Sequence, residues 1–221
     1  MPQPEPTAPP GPRQRRRQAA ESRLLEAGLT LMAQKGLHAC KVEEITAAAG
    51  VSKGAFFTHF AGKEAFVARL VEMVLSDLAR RVRPLGLMPG EPESLLAGVG
   101  GVHLRYFQLR PEAAALIVQA CGLEPGSPAG DAVRAAILAH LDALAAMLAP
   151  AAALLGWPAE QGRELALMLL AQATGFFWFG RGLDILDDVP VNLLDRMGRV
   201  LARGLAEPAP GNPKPVYGSE R

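Results

Sequence analysis

Apolar residues recur along this chain at spacings of three and four, the mark of one face of a helix. In the first third, Leu24, Leu25, Gly28, Leu31 and Met32 predict a helix over 14–35, closed by Lys35 and Gly36 as dipole and C-cap preferences favour. Val42, Ile45 and Ala49 predict a helix over 42–49, and Phe56 and Phe60 one over 53–60. Phe66, Leu70, Met73 and Val74 predict a helix over 63–82, stopped by Pro84. From residue 93 onward no stretch alternates as a strand would, and helices are expected near 93–109, 111–121, 129–149, 158–180 and 190–206. Pro111, Pro158 and Pro190 each suit a first helical position. The fold class is therefore all-α.

The stretch from Lys41 to Phe60 carries the sharpest signal. Gly50 stands where a helix must end in a left-handed conformation, and Ser52 where the next helix needs an N-cap. Helix, glycine turn and second helix make a helix-turn-helix, whose second helix enters a DNA major groove. Lys53 and Gly54 fall at its N-terminal end, where base edges are reached, and Thr58 can meet a thymine methyl or a phosphate. Lys63 opens the following helix, where its charge and the local N–H groups can hold a phosphate. Arg13, Arg15, Arg16 and Arg17 precede these elements, and Arg16 and Arg17 are taken as further phosphate contacts.

Residues Arg23 to Val71 resemble the N-terminal DNA-binding domain of the TetR family of bacterial transcriptional regulators. The resemblance is carried by Leu24-Leu25-Glu26-Ala27, Lys35-Gly36-Leu37, Val42-Glu43-Glu44-Ile45, Ala49-Gly50-Val51-Ser52-Lys53-Gly54, Phe57-Thr58-His59-Phe60 and Lys63-Glu64-Ala65-Phe66. It implies a three-helix DNA-binding domain at 13–62 with its motif at 41–60, a linking helix at 63–84, and a helical ligand-binding and dimerisation domain at 85–206. It implies that Ser52 and His59 also lie at the DNA. Two positions depart from the pattern. Lys41 stands where the family commonly has a capping Ser or Thr, and could reach a phosphate instead. Phe57 stands where the family usually has Tyr, and a phenyl cannot donate to a phosphate.

Composition limits the rest. The 221 residues are 49% hydrophobic and 20% charged, which suits a packed core, and the net charge of +1 leaves DNA affinity to local patches. Two cysteines, Cys40 and Cys121, make no disulfide framework and fit a reduced cytoplasm. The proline-rich segment 1–12 and the tail 207–221 are expected to be disordered, and the N-terminus has no apolar run of a secretory signal. The apolar stretch Leu165 to Phe179 is shorter than the roughly 20 residues of a membrane span. His38 and Cys40 lack a third metal-ligand type nearby, so neither metal nor cofactor is expected.

In the rear of the chain, Leu165, Met168, Leu169, Gln172, Phe176 and Phe179 form one stripe. Leu193, Leu194, Met197, Val200, Leu201 and Leu205 form another. The family resemblance implies that such helices, here 158–180 and 190–206, pair between two subunits. Candidate effector contacts, chosen by type, are His103, Tyr106, Phe107, Gln119, Cys121, His140, Met147, Gln172 and Trp178. No phosphate loop, nucleophile elbow or paired His/Glu helix motif points to an enzyme. The reading is a homodimeric, ligand-responsive repressor on a palindromic operator, released by a small apolar effector. The alternative is a helical small-molecule-binding or adaptor protein whose DNA-binding head is degenerate.

Overall fold

A computed structural model describes residues 11–87 and 90–184. The described residues are predominantly helical and contain no strand. The helices are α1 (Pro12–Lys35), α2 (Val42–Ala49), α3 (Lys53–His59), α4 (Lys63–Val82), α5 (Pro92–Leu109), α6 (Pro111–Cys121), α7 (Pro128–Leu154) and α8 (Gly162–Gly182). Short 3-10 turns occupy Arg83–Leu87 and Ala159–Gln161. The expected helix over 190–206, its stripe from Leu193 to Leu205, and the tail from 207 lie outside the described residues, as do residues 1–10.

Packing divides the chain into two units. The first runs to Asp77 and includes Leu109–Leu138; the second comprises Leu78–Gln108 and the residues from Ala139 onward. α4 and α7 therefore each begin in the first unit and end in the second. In the first unit Leu24, Leu29, Met32, Ile45, Phe56, Phe66 and Leu70 are fully buried. At about 1.5–3 kcal/mol for each large side chain removed from water, this core carries most of the helices' stability. Leu29, rather than the half-buried Leu31, occupies the core position on α1. α6 adds Ala113, Ala114, Leu116 and Ile117 to the same core and packs on α1. In the second unit Leu96, Val99, Leu104, Phe107, Leu144, Leu148, Leu165 and Leu169 are buried, with Phe107 and Phe177 rings 6.3 Å apart.

Three boundaries differ from the periodicity. α7 runs on through Pro150 to Leu154. Proline removes one ladder hydrogen bond, but Pro150 and Ala146 are both exposed, on the side of the helix where water can replace it. Pro158 adopts an extended conformation and leads into a 3-10 turn, so α8 starts at Gly162. The proline-glycine segment after α4 is partly a 3-10 turn rather than loop. α7 is also long and apolar enough to cross a membrane by length and composition. Its apolarity is largely alanine, it carries Asp131, Arg134, His140 and Asp142, and it buries Leu141, Leu144 and Leu148 in the second unit.

Candidate nucleic-acid interface

The turn between α2 and α3 is fixed by local chemistry. Gly50 is left-handed, at φ 63° and ψ 40°, and the Val51 N–H donates to the Thr46 carbonyl at 3.0 Å. Ser52 is extended, and its Oγ accepts from the Ala55 N–H at 3.2 Å, which caps α3. Phe56 is then buried at 0% exposure in a cluster with Phe57, Phe60 and Phe66, at centroid distances of 5.3, 5.2 and 5.2 Å. One aromatic anchor thus holds a seven-residue helix that is too short to persist alone.

What α3 leaves outside is Lys53, Gly54, Phe57 and Thr58, all exposed. The Thr58 hydroxyl donates to the Ala55 carbonyl at 2.7 Å, so its methyl and oxygen lone pairs are what it has to offer. Phe57 is 51% exposed, a large apolar ring on the surface of the motif. Lys53 pairs with Glu43 of α2 at 2.5 Å, and this ammonium holds the Glu43 carboxyl below its ordinary range. Lys63 donates to the His38 carbonyl at 2.8 Å, tying the start of α4 to the loop before α2. Arg16 and Arg17 are exposed on the opening turns of α1, where every residue from Gly11 to Ala19 is exposed.

At Lys41 the helix cap, and at His59 the side-chain placement, differ from the family pattern. Lys41 is the N-cap of α2 but has no acceptor; the reciprocal half of a capping box forms instead, with Glu44 Oε2 accepting from the Lys41 N–H at 2.9 Å. Glu44 also binds Lys35 at 2.5 Å, and that ammonium is the main cause of its lowered carboxyl pKa. The His59 side chain, expected at a phosphate, is only 5% exposed. Its Nδ1 lies 3.9 Å from Glu21, which also pairs with Arg69 at 3.3 Å, so the ring is tucked between α3 and α1 rather than presented outward.

The candidate effector residues separate. Gln119 and Cys121 belong to the first unit. The Gln119 amide accepts from the Leu37 N–H at 3.0 Å and reaches the Met32 carbonyl at 3.5 Å, so it ties α6 to the end of α1; no local pattern in the sequence signals this. Cys121 is exposed, and partial burial raises its thiol pKa. In the second unit His103, Tyr106, Phe107 and His140 are buried, Met147 and Gln172 are half-buried, and Trp178 is 44% exposed. His103 Nδ1 donates to the Val99 carbonyl at 2.8 Å, and its Nε2 faces His140 Nε2 at 3.4 Å. Burial keeps both imidazoles neutral, with His140 lowered to about 4 by desolvation and by His103. Met147 lines a cavity of about 360 Å³ with Leu85, Leu95, Pro150 and Leu154. A second, of about 510 Å³, is walled by Trp157 and the alanines of α7. α8 leaves Leu167, Met168, Trp178 and Phe179 exposed.

Residues 24–70 match the family model described as bacterial regulatory proteins, tetR family. The N-terminal domain belongs to the TetR family. This TetR-type head is 41% identical over 59 residues to the HTH-type transcriptional repressor DhaR of Mycobacterium sp. (strain GP1), a match covering 27% of this chain and 30% of that protein. The chain thus spans about a third of the length of the curated relatives it matches. Over more of its length it shares a fold with the fatty acid degradation regulator FadR from Bacillus halodurans (15% identity, TM-score 0.68, covering 83% and 97% of the two chains). It also resembles FadR from Bacillus subtilis solved in complex with stearoyl-CoA (15%, TM-score 0.66, 84% and 97%).

Proposed function

We propose that this protein is a homodimeric transcriptional repressor that binds a palindromic operator through α3 and leaves it when a small apolar effector enters the second unit. The observation that carries the reading is Gly54. A methyl there would meet nothing closer than Ser52 Oγ at 3.8 Å, and the backbone needs no positive φ. Glycine in a helix costs about 0.5–1 kcal/mol relative to alanine, and nothing among the described residues requires it. Close approach of the α3 backbone to a DNA strand supplies the reason. Lys53 points the same way, because a cation in the first turn opposes the helix dipole.

Dimerisation is assigned to α8, whose exposed Leu167, Met168, Trp178 and Phe179 offer an apolar surface to a second copy. Two heads then read half-sites about 34–36 Å apart. The effector is assigned to the cavity beside Met147, which has an apolar wall and the Glu91 and Ser94 side at its rim. A protein of the same fold solved with stearoyl-CoA supports an effector with a long apolar part.

The test is a salt-controlled gel shift on duplexes recovered from a random library. Lys53→Ala and Lys63→Ala are expected to weaken binding, each by about tenfold if it loses one charge-assisted contact. Wild-type binding untouched by either substitution refutes the interface. Wild-type protein that retains no duplex at all, yet binds hydrophobic ligands, favours the adaptor reading, with the exposed Phe57 as its docking residue.

A further inference from the structure

The adjacent glutamates of α2 do different work. Glu44 accepts from the Lys41 backbone N–H and from Lys35, so it closes the start of α2 and ties it to the end of α1. Glu43 ties no second helix segment to the start of α2: there its carboxylate accepts only from its own backbone N–H and favours the helix dipole. Its partner is Lys53, at the first position of α3, at 2.5 Å across the turn of the motif. α3 gains nothing from that lysine: Ser52 already caps it, and a cation at a helix N-terminus is unfavourable. Lys53 and Glu43 are both more than half exposed, so the pair packs nothing and is open to exchange with solvent ions and phosphates.

We infer that Glu43 is a specificity-determining residue: it occupies Lys53 until a partner better than an isolated phosphate displaces it. This rests on the DNA-binding reading above. An exposed carboxylate–ammonium pair is weak, so a guanine edge that accepts at both O6 and N7 can take the lysine. A single phosphate on random DNA offers one charge for another and gains little by the exchange. Lys53 is therefore silent in non-specific complexes and engaged in the specific one, and Glu43 widens the gap between them.

The test uses full-length protein, a duplex selected from a random library and a scrambled duplex of equal length, followed by fluorescence anisotropy across a salt series. Glu43→Gln keeps the side chain's length and removes its charge. It is expected to tighten scrambled-duplex binding about two- to fivefold and to steepen its log–log salt slope by about 0.9, one added phosphate contact. The slope on the selected duplex stays unchanged, so the specificity ratio falls. The double variant Glu43→Gln/Lys53→Gln returns the scrambled-duplex slope to that of wild type. A gain that persists in the Lys53→Gln background shows only relief of general repulsion and overturns the inference, as does an unchanged slope in Glu43→Gln. If wild type selects no duplex, the DNA-binding reading falls and takes the inference with it; if wild type selects one and Glu43→Gln alters neither duplex, the inference falls alone. Unchanged circular dichroism in each variant confirms that the head is folded.

Discussion

Gly28 is a tight point of the first unit. A Cβ built there would lie 2.3 Å from Phe66 Cζ and 2.4 Å from its Cε1, against the 3.5–4.0 Å of an ordinary carbon contact. α1 and α4 meet here with no side chain between them on the α1 side. Gly28→Ala has two opposed effects. Alanine improves helix propensity by about 1 kcal/mol. Overpacking costs typically 1–3 kcal/mol, and a shortfall of more than 1 Å against an aromatic ring belongs at the upper end. The ring cannot slip aside freely, because Phe66 packs on Phe56 at 5.2 Å and Phe60 at 4.8 Å. The net expectation is a loss of about 2 kcal/mol, which is roughly 30-fold more frequent opening of the first unit. Peptide-resolved hydrogen exchange on full-length protein reads this directly in α1, α3 and α4. Adding Phe66→Leu makes room, so the double variant is expected to lose less than the sum of the singles by at least about 1 kcal/mol. Exchange in α1 that is unchanged or slower in Gly28→Ala, where propensity alone would act, refutes the reasoning.

Other substitutions test other links. Gly54→Ala is expected to slow exchange in α3 by up to about fivefold, since propensity acts without a clash, while weakening duplex binding in the gel shift; a variant that binds as wild type removes the functional reason for that glycine. Gln119→Ala leaves the Leu37 N–H without its acceptor and is expected to cost about 1–2 kcal/mol, seen as faster exchange at the α1 end and in α6. The buried imidazoles set a pH dependence for the second unit. Unfolding restores an ordinary histidine near 6.5 while His140 in the fold stays near 4, so below 6.5 the unfolded chain binds more protons. Stability is full above about 6.5 and is lost as pH falls toward 4, by about 3 kcal/mol at most for His140, with His103 adding in the same direction. Urea midpoints followed by tryptophan fluorescence check this, because Trp157 and Trp178 both lie in the second unit; His140→Phe is expected to flatten the slope.

The head was legible because its signals are local. Val42–Ala49, Lys63–Val82 and Pro111–Cys121 coincide with the spans read from periodicity, and Gly50 and Ser52 do at the turn what their chemistry dictates. The misses are tertiary. Nothing near Gln119 in sequence announces a bond to Leu37, 82 residues away. His59 was placed at a phosphate by its register in the family pattern, whereas its side chain is 5% exposed and lies beside Glu21 of α1 and the Phe60 ring. α7 passes Pro150 because a proline on a wetted face costs one hydrogen bond that water restores, which a breaker rule cannot weigh. The membership of Leu109–Leu138 in the first unit was equally hidden, since a periodic helix declares its apolar face but not the partner of that face.

Two glycines sit inside helices of the head, and both break the same local rule. Gly28 has its compensation in view: a ring against bare backbone, and with it the aromatic cluster that steadies α3. Gly54 has none among the described residues, and those of Lys53 and Phe57 are slight: an exposed ion pair with Glu43 and an edge contact with Phe56 that leaves the phenyl half exposed. A local rule broken with a packing gain marks architecture; one broken without it marks a surface shaped for something outside. Three breaks with little or no internal gain within five residues of one seven-residue helix are hard to assign to stability. Stability and DNA affinity are therefore expected to move in opposite directions at Gly54 and together at Gly28, where the damage to α3 is indirect. Measuring both quantities on both variants separates the two kinds of glycine; parallel losses at Gly54 would place it with Gly28 as a packing residue and leave α3 without its strongest mark of function.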